Sequence, residues 1–80
     1  MDRDTVTIDL RLFASLASRM PTDATHFPIS AGTTIGQLIE QIQIPLSEAK
    51  LVFINGVRKH LDTPLTGGER VGIFPPVGGG

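Results

Sequence analysis

Hydrophobic and polar residues alternate strictly near the start of the chain. In TVTIDLRLF, residues 5–13, Val6, Ile8, Leu10 and Leu12 share one parity, and Thr7, Asp9 and Arg11 share the other. A period of two predicts a strand with one buried face and one wet face. ASLASRM, residues 14–20, is apolar enough for a short helical turn, which Pro21 ends at once. A second strand fits THFPIS, residues 25–30, with Thr25, Phe27 and Ile29 in alternation. Pro28 confines that strand to a sheet edge or demotes it from strand altogether, because proline has no N–H to give to a second neighbour.

The period then changes. In AGTTIGQLIEQIQIP, residues 31–45, Ile35, Leu38, Ile39 and Ile42 recur at i, i+3, i+4 and i+7, the stripe of an amphipathic helix. Thr34 and Gln37 have the spacing of a capping box at its start. Gly36 in the first turn costs about 1 kcal/mol relative to alanine. Pro45 closes the far end, which predicts a short helix of about two to three turns. Leu51 to Ile54 form a continuous apolar run followed by Asn55-Gly56, a pair that tolerates positive φ and predicts a hairpin. Gly67-Gly68 marks a further turn. The last strand runs from Arg70 to Phe74, where Pro75 and Pro76 remove two backbone donors.

Two strands, one helix and two or three more strands make an α+β protein with a β-grasp arrangement: a mixed four- to five-stranded sheet packed on one main helix. The predicted core is Ile8, Leu10, Leu12, Ile29, Ile35, Leu38, Ile39, Ile42, Val52, Ile54, Leu65, Val71 and Ile73. Residues 1–74 read as the β-grasp domain and residues 75–80 as a flexible C-terminal tail.

Composition narrows the chemistry. Eighty residues, 40% of them hydrophobic, allow one domain near the lower size limit for folding without disulfides or metals, with little room for a catalytic pocket. The formal net charge of −1 comes from residues spread along the chain without runs, so the sequence carries no footprint for nucleic acid or membrane. Cysteine is absent, which excludes disulfide scaffolds, zinc fingers, iron–sulfur sites and thiol nucleophiles; any sulfur chemistry must use sulfur from elsewhere. The N-terminus MDRDTVTIDL is acidic and alternating, and no stretch approaches the roughly 20 apolar residues of a membrane span. The expected location is the cytoplasm.

Few side chains suggest catalysis. His26 and His60 are far apart and lack further ligands nearby, so solvent-exposed histidines are expected rather than a metal site. Ser15, Ser18, Ser30 and Ser47 lie in no nucleophile elbow. GTTIGQ and TGGER lack the lysine and hydroxyl of a phosphate loop, which leaves turn glycines. Lys50 and Lys59, the only lysines, read as solvated charge.

The ending GIFPPVGGG differs, because its features combine into one capability. Glycine has no Cβ, so the three final residues can be drawn into a slot too narrow for any side chain. Six residues from Pro75 reach at most roughly 20 Å, and the two prolines stiffen the base through their extended preference. The reactive group at the tip is the α-carboxylate of Gly80. It is a poor electrophile until activated, for example as a mixed anhydride with adenylate. This chain has no ATP site, so a second protein must perform that step.

IFPPVGGG, preceded by LVFINGV and TPLTGGERVGIF, resembles the small subunit of molybdopterin synthase, a ubiquitin-like sulfur carrier whose members finish in Phe-Pro-Pro-Val-x-Gly-Gly. The resemblance covers the length, the helix after the second strand, the Asn-Gly hairpin and the terminal Gly79-Gly80. It implies that an E1-like enzyme adenylates Gly80 with ATP and that a sulfurtransferase system converts it to a thiocarboxylate. The tail then enters the large synthase subunit, where its sulfur attacks a pterin precursor to build the dithiolene that holds molybdenum or tungsten. The chain itself binds no cofactor in this scheme. Phe13 and Phe74 become candidates for an apolar docking patch, and Pro75, Pro76, Val77, Gly78 and Gly79 for the segment the partners grip. Ordinary core packing is the alternative for Phe13. Glycine at position 78 departs from the pattern, and the resulting VGGG also ends the thiamine-pathway carrier. A protein modifier joined through Gly80 to target lysines shares the activation step.

Overall fold

The structure is a computed structural model and describes residues 4–76. The alternation of the first segment produces strand β1 (Thr5–Leu12), which buries Ile8, Leu10 and Leu12 and leaves Thr7 and Arg11 exposed. It runs antiparallel to β2 (Phe27–Ser30) and parallel to β5 (Arg70–Phe74). β5 pairs antiparallel with β3 (Leu51–Ile54), which pairs in turn with the two-residue β4 (Val57–Arg58). The order β2-β1-β5-β3-β4 is a mixed five-stranded sheet with the first and last strands adjacent at its centre, as a β-grasp requires. β2 is an edge strand, so Pro28, opposite Thr7, leaves no neighbour without a donor. It begins at Phe27 rather than Thr25, which is exposed in a 3-10 turn over Ala24–His26.

Helix α1 (Ile35–Gln41) covers one face of this sheet. Its capping box is formed: the Gln37 N–H donates to Thr34 Oγ1 at 3.2 Å, and the Thr34 N–H donates to Gln37 Oε1 at 2.9 Å. Ile35, Leu38 and Ile39 are fully buried. The helix stops before Pro45 acts. Gln43 adopts φ +62, its N–H donates to the Glu40 carbonyl at 3.0 Å, and the Ile44 N–H donates to the Ile39 carbonyl at 3.1 Å. These are the paired bonds of a Schellman motif, with glutamine in the left-handed position where glycine is usual. The reversal corrects the predicted core at one residue: Ile42 is only half-buried, and Ile44 is buried instead.

Every other residue of the predicted core is buried. Leu16, Ala24 and Ala49 join it from 3-10 turns or their ends. Asn55 and Gly56, at φ +51 and +85, close the β3–β4 hairpin as a type I′ turn. Asn55 also ties that turn to the start of β5, its side-chain oxygen accepting from the Arg70 N–H at 2.9 Å.

Candidate functional site

The face of the sheet away from α1 carries the other parity. Register places Arg11 opposite Gly72, Gly72 opposite Phe53, and Phe53 opposite Arg58, a row crossing β1, β5, β3 and β4. Asp9 stands opposite Arg70 and Phe74 opposite Leu51 in the flanking rows. Phe13 lies just past the end of β1, where its N–H still donates to the Ile73 carbonyl at 3.1 Å. It is 39% exposed, which answers the core-packing alternative: its ring lies on the open face.

Three of the four phenylalanines meet there. Phe13 and Phe74 stack with ring centroids 4.3 Å apart and planes 5° from parallel. Phe53 meets Phe74 edge-on at 5.6 Å and 80°. Gly72 makes this arrangement possible: a Cβ added to it would lie 3.2 Å from Cε2 of Phe13 and 3.8 Å from Cε1 of Phe74. The rings, Gly72, Arg11 and Arg70 line an open groove of ≈ 310 Å³. Phe53 was not among the sequence candidates. Its signal was available: it has the parity opposite to Val52 and Ile54, which marks it as facing away from the core.

The chain leaves the sheet beside this cluster. The Phe74 carbonyl accepts from the Lys50 N–H at 2.9 Å, and β5 ends there. Pro75 is half-buried, Pro76 is exposed, and neither belongs to a strand, as their missing N–H groups require. The remaining sequence candidates, Val77, Gly78, Gly79 and Gly80, lie outside the described residues.

Charge at the site is ordered by one exposed pair. Arg11 donates from Nε to Asp9 Oδ1 at 2.9 Å and from Nη2 to Oδ2 at 3.1 Å. The hydrogen bond from Arg11 holds the Asp9 carboxyl below its ordinary range and raises the guanidinium in turn. Such a pair orients the arginine more than it stabilises the fold. At the other end of β5, burial pushes the Glu69 carboxyl up. Backbone N–H bonds from Thr66 and Gly67, with the Thr66 hydroxyl, outweigh that and hold it low. Glu69 thereby fixes the turn that delivers β5 to the sheet.

The remaining candidates for chemistry do not converge. His26 and His60 are exposed, as are Ser15, Ser18, Ser30 and Ser47. Among the described residues no group of three or more His, Cys, Asp or Glu could hold a metal ion, and no helix is long and apolar enough to cross a membrane. What the arrangement offers is an aromatic face next to the segment that leads to the glycines.

The sequence model of the ThiS family matches residues 10–80, nearly the whole chain. The chain belongs to the ThiS family. Solved structures agree with this ThiS-family fold. The Haloferax volcanii HVO 2177 protein is 25% identical and superposes with a TM-score of 0.78 over 100% of this chain and 92% of that one. Haloferax volcanii SAMP1 is 20% identical, with a TM-score of 0.65 over 92% of this chain and 99% of that one; the same organism's small archaeal modifier protein 1 appears again in a second crystal structure. A Pyrococcus furiosus protein assigned as molybdopterin converting factor, subunit 1, is 23% identical, with a TM-score of 0.64 over 90% of this chain and 99% of that one. No protein of curated function matches the sequence significantly. This ThiS-family chain has the ubiquitin-like β-grasp fold of those structures.

Proposed function

We propose that the chain is a sulfur carrier for molybdopterin synthesis. The observation that carries this reading is the FPPV sequence before the glycines, whose first residue, Phe74, ends β5 in the stack with Phe13, in a chain of the ThiS family. The sheet serves as a handle, with Phe13, Phe53 and Phe74 as its apolar patch and Pro75 and Pro76 setting the exit direction. An E1-like enzyme uses ATP to convert the Gly80 carboxylate into an acyl adenylate, releasing pyrophosphate. A persulfide of a sulfurtransferase system displaces AMP to give an acyl disulfide, and a second thiol cleaves the S–S bond, forming a disulfide with the sulfurtransferase's own sulfur and releasing the thiocarboxylate. Val77, Gly78 and Gly79 pass through a narrow channel of the large synthase subunit, where the sulfur attacks the pterin precursor.

Intact mass measurement of the protein from its native host, under conditions that preserve thioacids, tests the central step. The expected species is heavier by about 16 Da, localised to Gly80 and so distinguished from sulfoxide at Met1 or Met20. Deleting Gly80 is expected to abolish sulfur transfer and leave the melting temperature unchanged. A large loss of stability on deletion would refute the separation of handle and reagent.

A second reading is favoured by the structural likeness to a protein named as a modifier: conjugation of Gly80 to lysines of target proteins. Adducts joined through Gly80, with only the free carboxylate otherwise, would establish it. Thiamine auxotrophy on gene deletion, with molybdenum enzymes intact, would move the sulfur to the thiazole pathway instead.

A further inference from the structure

The sequence spreads its charges evenly, but the fold does not. Strand register collects Arg11, Arg58 and Arg70 on the open face of the sheet, where Asp9 is the one acidic residue among the strand positions of that parity. Asp9 is committed to Arg11, and Arg58 and Arg70 form no ion pair among the described residues. The remaining described acids lie elsewhere. Asp4 is in the turn before β1, beside the β2 edge, Glu40 is on α1, Asp23, Glu48 and Asp62 are in turns and loops, and Glu69 is bound into its own turn. A chain of net charge −1 thus presents a cationic face. Arg58 also lines, with Lys50 and Lys59, a second hollow of ≈ 510 Å³ that touches the buried Ala49 and Val52 and so lies on the core side of β3 rather than on the open face.

We propose that this face selects a protein surface bearing an apolar side chain ringed by carboxylates, and that the activating enzyme presents it. The inference rests on the carrier reading and adds the chemistry by which the partner is chosen. The apolar side chain fills the groove between Phe53, Phe74 and Gly72, and the carboxylates meet Arg58 and Arg70. Arginine suits that task because its planar fork takes a carboxylate through two parallel hydrogen bonds. A second copy of the chain is disfavoured, since it would set arginines against arginines. Single-stranded nucleic acid needs free ring faces on which bases stack. Here Phe13 and Phe74 cover one another at 4.3 Å, and Phe53 meets Phe74 by its edge.

The test is ATP–pyrophosphate exchange by the E1-like enzyme of the same organism, with the full-length chain as the varied substrate, at salt from about 50 to 500 mM. Three proteins are compared: wild type, the double variant Arg58→Glu/Arg70→Glu, and the charge-keeping Arg58→Lys/Arg70→Lys. Both sites are exposed, and unchanged melting curves confirm that the variants fold. The expected result is a KM raised about tenfold in the glutamate variant at low salt, converging on wild type at high salt, with kcat unchanged. The lysine variant stays near wild type in its salt slope. Equal KM values for all three proteins across the salt range would overturn the inference and leave the carrier reading intact. Competition by an oligothymidylate would overturn it in favour of nucleic acid. Absence of exchange with the wild-type chain would overturn the carrier reading, and this inference with it.

Discussion

The two faces of the sheet come from the same strands, residue by residue. On the face under α1, Leu10, Val71, Ile73, Val52 and Ile54 are buried, and the apolar side chains of the helix complete the layer. On the opposite face the intervening positions are Arg11, Gly72, Phe53 and Arg58, a mixture of cation, ring and bare backbone that no packed layer would use. The first face answers to the demand for burial, and any residue of similar volume satisfies it. The second answers to something outside the chain. Its rings touch one another yet leave a groove open, and a sheet face built only for solubility has no reason to carry phenylalanines at these positions.

The largest expected effect tests this division directly. Leu10→Ala, at a site with no solvent exposure, is expected to lose about 2–5 kcal/mol in urea denaturation. Phe53→Ala, one row away on the other parity, is expected to lose about 1 kcal/mol or less while weakening binding to the activating enzyme. Equal losses of stability would show that both faces are core.

Two glycines sharpen the contrast. Gly67 has φ +113, and a Cβ there would stand 2.8 Å from Cβ of Val6, so Gly67→Ala is expected to destabilise by about 1–3 kcal/mol in thermal melts. A Cβ on Gly72 would crowd the edge of the Phe13 ring at 3.2 Å and meet Phe74 at an ordinary 3.8 Å. Gly72→Ala is therefore expected to change stability by less than about 1 kcal/mol, because Phe13 can swing aside. It should still alter the ring-current shifts of Phe13 and Phe74 and weaken docking. A stability loss matching that of Gly67→Ala would place Phe13 in the fold's support rather than on its docking face.

The smallest effect is a pH dependence. Folding holds Glu69 below its ordinary value of 4.5, so the folded state favours the ionised form. Its stabilisation is complete above that value and is lost as pH falls through the depressed folded value. Asp9 acts in the same direction, but from an exposed position that salt screens. Melting temperature measured against pH should fall at the acid end, and Glu69→Gln should flatten that limb. An unchanged acid limb in Glu69→Gln would remove the carboxylate from the turn.

The elements that could be read in the sequence are those whose cause is local. The alternation of β1, the Thr34/Gln37 capping box, the Asn55-Gly56 turn and the proline pair after Phe74 each specify their structure within a few residues. Leu16, Ala24 and Ala49 were missed because 3-10 turns impose no hydrophobic period. Ile42 was placed in the core because the stripe continues through it, whereas the reversal at Gln43 gives that position to Ile44. At the site, Phe74 and Phe13 were legible through the family resemblance; Phe53 sits inside what reads as one apolar run, and only its parity against Val52 and Ile54 sets it apart. The cationic face was illegible for a different reason: Arg11, Arg58 and Arg70 meet only through the pairing of four strands.

That pairing also governs when the protein can exist during its own synthesis. β1 finds its parallel partner only in β5, with Asp9 opposite Arg70, so the centre of the sheet joins segments far apart in the sequence. Contacts so distant form late, and until β5 emerges from the ribosome β1 and β3 have no neighbour to bridge them. A chain broken off upstream of Arg70 has neither Gly72 nor Phe74, and therefore no groove. The groove is thus completed by the same strand that leads into Pro75 and Pro76, and it exists only where the sheet has closed through β5.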